Sequence, residues 1–194
     1  MHYIFYGPEG SGKGTQVKLL SEKLHISVLT SGDLVRDAAA NDNGLIGDAC
    51  RRALKEGRYV PDSEMFVLWK NKLRSKEAKK GFILDGFPRN LRQAKFLIRK
   101  ISKYGYGIDK FIHLTLSDKD ATGRLLKRNR KTFEGSNESH DTVEKIRSRL
   151  ANFRKHEEEL VSFFDTLKLL LNVDGSGSVP DIHKHILKGL LLSS

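Results

Sequence analysis

Residues 7–15 read Gly7-Pro8-Glu9-Gly10-Ser11-Gly12-Lys13-Gly14-Thr15 and follow the apolar stretch Tyr3-Ile4-Phe5-Tyr6. Glycines at this density let backbone N–H groups converge on an anion, and Lys13 adds a mobile positive charge, so the segment suits a phosphate. The next residues, Gln16-Val17-Lys18-Leu19-Leu20 and Leu24, repeat apolar side chains at helical spacing. That places the loop at a helix N-terminus, where the axial dipole also favours an anion. Two details depart from the general pattern. Gly14 stands where Ser or Thr is usual, so a hydroxyl for a metal shell would come from Thr15. Glu9 puts a carboxylate into the loop, where bound phosphates would repel it.

Phosphoryl transfer asks a protein chiefly for positioning and positive charge around the moving group, with a magnesium ion held nearby. In Phe82-Ile83-Leu84-Asp85-Gly86-Phe87-Pro88-Arg89 the apolar run before Asp85 marks a strand, and the carboxylate at its end suits a magnesium shell at the sheet's edge. Arg89 and Gln93 lie one helical turn apart and can face one ligand, the first on phosphate and the second on a base edge. Taken alone, either is more simply a solvated surface residue.

The elements that must position these groups alternate. Strands are predicted at 3–6, 27–29, 81–85, 110–116 and 167–173, with helices over 13–24, 32–40, 44–55, 63–75, 90–103, 118–128, 142–164 and 179–191. This is the pattern of a parallel sheet covered on both faces, whose ligands bind at the C-terminal strand ends. Residues 30–62 and 129–141 break the alternation and have the character of lids. At 194 residues the chain suits one principal domain. Its 35 Lys and Arg against 24 Asp and Glu, a net charge of +11, suit an anionic partner: nucleic acid, an acidic surface or a small polyphosphate. With Cys50 as its one cysteine it can form neither an internal disulfide nor a cysteine-rich zinc site, which fits a reducing compartment. No run has a leader's or a membrane span's apolar length, so a cytoplasmic protein away from membranes is expected.

Four ordered motifs now converge: Gly7 to Gln16, Thr30-Ser31-Gly32-Asp33-Leu34-Val35-Arg36, Glu56-Gly57-Arg58-Tyr59-Val60-Pro61-Asp62, and Asp85-Gly86-Phe87-Pro88-Arg89-Asn90 with Gln93. Together they make the chain resemble the adenylate kinases of the nucleoside monophosphate kinase family, from about Tyr3 to about His185. The resemblance implies an α/β fold, a P-loop NTPase three-layer sandwich with a five-stranded parallel sheet. It divides the chain into a core (1–29, 61–123, 142–194), a helical monophosphate-binding insertion (30–60) and a short zinc-free lid (124–141). It also implies ATP and AMP as substrates, Mg2+ bound with ATP, and a monomer.

Carried over residue by residue, the resemblance puts ATP on Gly10, Ser11, Gly12, Lys13, Gly14 and Thr15, with Lys13 on the transferred phosphoryl group. Arg124 and Arg128 fall four apart on one helical face; the first would cover the adenine of ATP and the second reach its phosphates. Arg149 matches a further phosphate arginine, and Gly177 lies in a turn that backs the adenine. For AMP, Arg36 and Arg89 would grip the phosphate and Ser31 and Gln93 meet the base. Gly32, the backbone from Gly57 through Tyr59 to Val60, and Gly86 would line the pocket. Asp33 and Asp85 would orient magnesium-bound waters, with Thr15 in the metal shell.

The lid departs from the family. Glu138, in Glu138-Ser139-His140-Asp141, stands where an arginine belongs, a charge reversal that would slow transfer unless Arg130 or Lys131 substitutes. His113 is expected to pack within a strand, His140 to be solvated, Trp69 to pack in the core, and Leu190-Leu191-Leu192 to close the core with the last helix. The leading expectation is reversible phosphoryl transfer from ATP to AMP giving two ADP. A UMP/CMP kinase, a nucleic-acid-associated P-loop ATPase on the same fold, and a nucleotide sensor without turnover remain as alternatives.

Overall fold

The computed structural model describes residues 1–56, 58–128 and 141–192. The strands are β1 (His2–Tyr6), β2 (Ser27–Thr30), β3 (Phe82–Asp85), β4 (Lys110–Thr115) and β5 (Leu170–Asp174), all parallel in the order β2-β3-β1-β4-β5. Between them run α1 (Lys13–Leu24), α2 (Ser31–Asn41), α3 (Leu45–Glu56), α4 (Asp62–Leu73), α5 (Lys76–Lys80), α6 (Leu91–Lys103), α7 (Asp118–Arg128), α8 (Val143–Thr166) and α9 (Val179–Gly189).

Alternation along β1 explains the layering. Tyr3 and Phe5 point to one face, where Val17 and Leu20 of α1 and Ile182 and Ile186 of α9 bury them. Ile4 and Tyr6 point to the other, against Leu97 of α6 and Leu160 and Phe164 of α8. Both faces being apolar, Tyr3–Tyr6 is an uninterrupted hydrophobic run, as a doubly covered parallel sheet favours. The expected five-stranded three-layer sandwich is therefore what the chain forms.

Register sets the functional edge. Phe5 pairs with Asp85 and Thr30 pairs with Asp85 across neighbouring strands, while Tyr6 pairs with His113. The ends of β1, β2 and β3 thus finish level, and the segments that follow them emerge side by side.

Some expectations shift. The helix expected over 63–75 ends at Leu73, and a short α5 follows with Ser75 as its cap, the hydroxyl accepting from the Ala78 N–H. A Ser beside good helix formers starts a new helix where it can bond the backbone ahead of it. β5 begins at Leu170 because Lys168 adopts a left-handed φ of 58°, so residues 167–169 lie outside it. Trp69 is buried and stacks on Phe87 at 4.7 Å, and His113 is buried in β4 within hydrogen-bonding distance of Glu157 and Asn172. Leu190 and Leu192 pack on the α1/α9 side of the core, whereas Leu191 is exposed, so the final leucines close the core only in part. No helix among the described residues is long and apolar enough to cross a membrane.

Candidate active site

The loop after β1 is shaped by its glycines. Gly7 has φ 149°, and a Cβ there would lie 2.4 Å from the Leu114 carbonyl oxygen; Gly10 has φ 87°, with the Ala121 carbonyl 2.9 Å from such a Cβ. Both pin the loop against the neighbouring β4–α7 region. Gly12 (φ 86°) and Gly14 instead face open space, and Gly12 caps α1 without a side-chain bond. The helix's first N–H groups are left to an incoming anion. Lys13 Nζ donates to the carbonyls of Gly7 and Pro8 at 2.6 and 3.0 Å, folding back across its own loop. Burial pushes its pKa below the ordinary value, while the charges of Asp85 and Glu9 pull it back upward.

This loop floors a cleft of about 700 Å³ that is lined also by Gly14, Thr15, Asp85, Arg89, Arg124, Arg128 and Arg149. A second cavity of about 320 Å³ adjoins it, lined by Ser31, Val60, Phe87 and Gln93, and the two share Gly32, Tyr59, Arg89 and Asn152. Clefts of this size at the C-terminal edge of a parallel sheet hold small ligands.

The walls of the second cavity are tied together. The Gly86 carbonyl accepts from Ser31 Oγ at 2.9 Å and from Arg89 Nε at 2.8 Å, which brings β2's exit and β3's exit to one point. The Arg89 guanidinium also lies 4.0 Å from the centre of the Tyr59 ring. Gln93 is buried; its Oε1 accepts from the Arg89 N–H at 2.8 Å, and its Nε2 donates to Asp62 Oδ1 at 2.6 Å. Arg89 and Gln93, expected to face one ligand, line the same cavity, with the Gln93 amide oriented by Arg89 and Asp62. Asn90 caps α6, its Oδ1 accepting from the Gln93 N–H.

Asp33 and Arg36 stand apart. Arg36 Nη2 donates to Asp33 Oδ1 at 2.7 Å and Thr30 Oγ1 to Asp33 Oδ2 at 2.7 Å, and both charged side chains are about two-thirds exposed, at 65% and 64%. Hydrogen bonds from Thr30 and then Arg36 hold the Asp33 carboxyl below its ordinary value. Neither residue lines either cavity.

On the opposite wall, Arg124 gives Nη1 to the carbonyls of Gly10 (3.3 Å) and Gly175 (2.9 Å) and Nη2 to that of Ser176 (3.1 Å). It staples the phosphate loop to the β5–α9 turn, which carries Gly177; Gly177 itself does not line the cleft. Arg128 and Arg149 converge on two carboxylates. Arg128 bonds both oxygens of Asp141 at 3.0 Å, Arg149 Nη2 bonds Asp141 Oδ1 at 2.9 Å, and Glu9 Oε2 lies 3.3 Å from Arg149 Nε and 3.8 Å from Arg128 Nη2. Glu9, expected only to repel phosphates, is thus an ion-pair partner of the cleft's arginines.

Sequence reasoning missed Asp141, Asp62, Asn152 and the Tyr59 ring as site components. Asp62 closes the third motif and opens α4, and Asp141 precedes the α8 cap Thr142, but a lone carboxylate beside a helix start carries no signal of what it faces. Gly57, Arg130, Lys131, Glu138 and His140 lie outside the described residues. Among the described residues, no three His, Cys, Asp or Glu side chains come together to hold a metal ion. Asp85 and Thr15 in the cleft beside Lys13 suit a different mode, a magnesium that keeps most of its waters and is carried largely by phosphate oxygens.

The comparisons with known proteins point to one family. The sequence model of the family described as adenylate kinase matches residues 5–169. Adenylate kinase 1 of Nostoc sp. is 37% identical over 188 residues, covering 97% of each chain. The adenylate kinase of Thermobifida fusca is 33% identical over 190 residues, 98% of each chain, and that of Prochlorococcus marinus 37% over 179 residues, 92% of this chain and 91% of its own. Matched over residues 5–169 by the family's sequence model and over nearly its whole length by these relatives, the chain belongs to the adenylate kinase family.

Proposed function

We propose that the chain is an ATP:AMP phosphotransferase that interconverts ATP plus AMP with two ADP. The observation that carries this reading is the junction of the two cavities: Lys13, Arg89, Arg128 and Arg149 line a cleft continuous with a second pocket through Gly32, Tyr59, Arg89 and Asn152. Two nucleotides end to end would meet there among four cations, which is the demand of phosphoryl transfer. The relatives' names favour this over the UMP/CMP kinase and the nucleic-acid-associated ATPase.

In this reading ATP phosphates lie on the N–H groups of the loop, and Lys13 exchanges the Gly7 and Pro8 carbonyls for phosphate oxygens. Arg89, held by Gly86 and Tyr59, presents its free N–H groups to the AMP phosphate. Ser31 and the buried Gln93 bound the AMP base site, and Arg124 shapes the adenine side of the ATP site through the Gly175–Ser176 turn. Arg128 and Arg149 neutralise the charge of the group in transit. Arg36, at the exposed rim, would turn inward from Asp33 to reach AMP. Magnesium, when bound with ATP, supplies charge neutralisation at the phosphates, with Thr15 and Asp85 best placed for its shell. Residues 30–60 serve as the AMP-binding insertion and 124–141 as the lid, which excludes water on closing. The protein works as a cytoplasmic monomer.

A coupled assay offering AMP, CMP, UMP and GMP in turn tests the reading. AMP should be phosphorylated at the highest kcat/KM, and Lys13→Met should lower the rate by at least about 100-fold while leaving the circular dichroism spectrum intact. Preference for a pyrimidine monophosphate would overturn the choice of substrate.

A further inference from the structure

Glu9 is the component of the cleft that phosphoryl transfer does not call for. Its carboxylate sits in a loop whose every other feature attracts anions, and its Oε2 is shielded from solvent. It stands 3.3 Å from Arg149 Nε and 3.8 Å from Arg128 Nη2. The same arginines also hold Asp141. Among the described residues, the two guanidiniums therefore meet two carboxylates. Only Asp141 is wholly buried beneath them; Glu9 comes from the floor, from the loop on which phosphates would lie. Gly7 and Gly10, on either side of it, bring the loop backbone close against the carbonyls of Leu114 and Ala121. Rotation about its own side-chain bonds is the simplest way for Glu9 to leave the arginines.

We propose that Glu9 is a built-in stand-in for a nucleotide phosphate: it pairs with Arg128 and Arg149, must be displaced by the phosphates of ATP or ADP, and so sets how tightly both bind. The inference rests on the reading of the loop as the ATP phosphate site. It makes Glu9 an affinity-determining residue that acts through two arginines, with no contact of its own to the reacting atoms. A nucleotide that enters gives up two ion pairs to gain its own, and it then shares the loop with the displaced carboxylate. The arrangement weakens substrate and product alike, which favours release.

Titration calorimetry on the full chain tests this with ATP, ADP and adenosine, on wild type, Glu9→Gln and Lys13→Met. Glu9→Gln keeps the shape and removes the charge, so ATP and ADP should bind about tenfold more tightly, as expected for removing one like charge at a partly screened site. Adenosine, which has no phosphate, should bind as to wild type. The gain should shrink as salt is raised. Unchanged or weaker binding of ATP and ADP by Glu9→Gln, or an equal change for adenosine, overturns the proposal, provided that Lys13→Met weakens ATP binding. If Lys13→Met leaves ATP binding intact, the reading of the loop as the phosphate site fails, and the role of Glu9 falls with it. Glu9→Ala, which also removes the charge, must tighten ATP binding in the same direction.

Discussion

Arg128 grips Asp141 with two parallel hydrogen bonds, Nε to Oδ2 and Nη2 to Oδ1, each 3.0 Å long. The Asp141 side chain is wholly buried, and Arg149 joins it at 2.9 Å. The end of α7 and the second turn of α8 are thus locked to one carboxylate.

Asp141→Asn should therefore act on stability as well as rate. Removing one charged member of a buried ion-pair cluster costs about 3 kcal/mol. The melting temperature should fall by roughly 6–12 °C, with kcat reduced because both arginines lose their common anchor. A thermal melt unchanged from wild type would refute the anchoring role.

Tyr59 should matter to AMP and not to ATP. Its ring lies against the Arg89 guanidinium at 4.0 Å on an exposed segment, where such a contact contributes about 0.5–1 kcal/mol. Tyr59→Leu should raise KM for AMP about two- to fivefold and leave KM for ATP alone. Tyr59→Phe, which keeps the ring, should restore the wild-type value in steady-state assays.

The glycines of the loop should separate into a structural and a functional one. An alanine Cβ at Gly7 meets a backbone oxygen at 2.4 Å, so Gly7→Ala should lose about 3 kcal/mol or more of stability. At Gly12 the space is open, and the φ of 86° alone costs about 1–2 kcal/mol. Gly12→Ala should stay folded yet lose most ATP binding, because its methyl group projects into the space that phosphates would fill. Chemical denaturation paired with ATP titration distinguishes the two.

Acid should weaken the fold at α8. Burial by itself would raise the Glu157 carboxyl, but hydrogen bonds from His113 and Arg154 and the charge of Arg154 hold it below its ordinary value of 4.5. A carboxyl depressed in the folded state contributes stability fully above the unfolded value and loses it as pH falls through the folded one. Melting temperature should drop as pH is lowered below about 4.5, and Glu157→Gln should flatten that dependence. An equally steep curve for the variant would exclude Glu157 as its source.

Much of this site was legible because its signals are local. The phosphate loop announces itself through glycines whose backbone freedom is a property of single residues, and the helix behind it through a period of 3.6. Asp85 was recognisable as a strand end because apolar residues precede it directly. Asp33 and Arg36 were legible as a motif, yet their mutual pairing at the rim was not, since spacing along a helix says which residues can meet and not which partner each side chain prefers.

By itself, then, the sequence determined the sheet class, the position of the phosphate loop and the residue types gathered around it, all of which follow from short-range periodicity and backbone preference. Tertiary structure alone decided that Glu9, Arg128, Asp141 and Arg149 form one charge cluster, and that Gln93 is oriented by Asp62 from another helix. Those pairs join residues as far apart in sequence as Glu9 and Arg149, brought together only when the ends of β1, β2 and β3 finish level and α7 and α8 fold back over the loop. A charge's partner depends on where packing delivers it, and no local pattern encodes that.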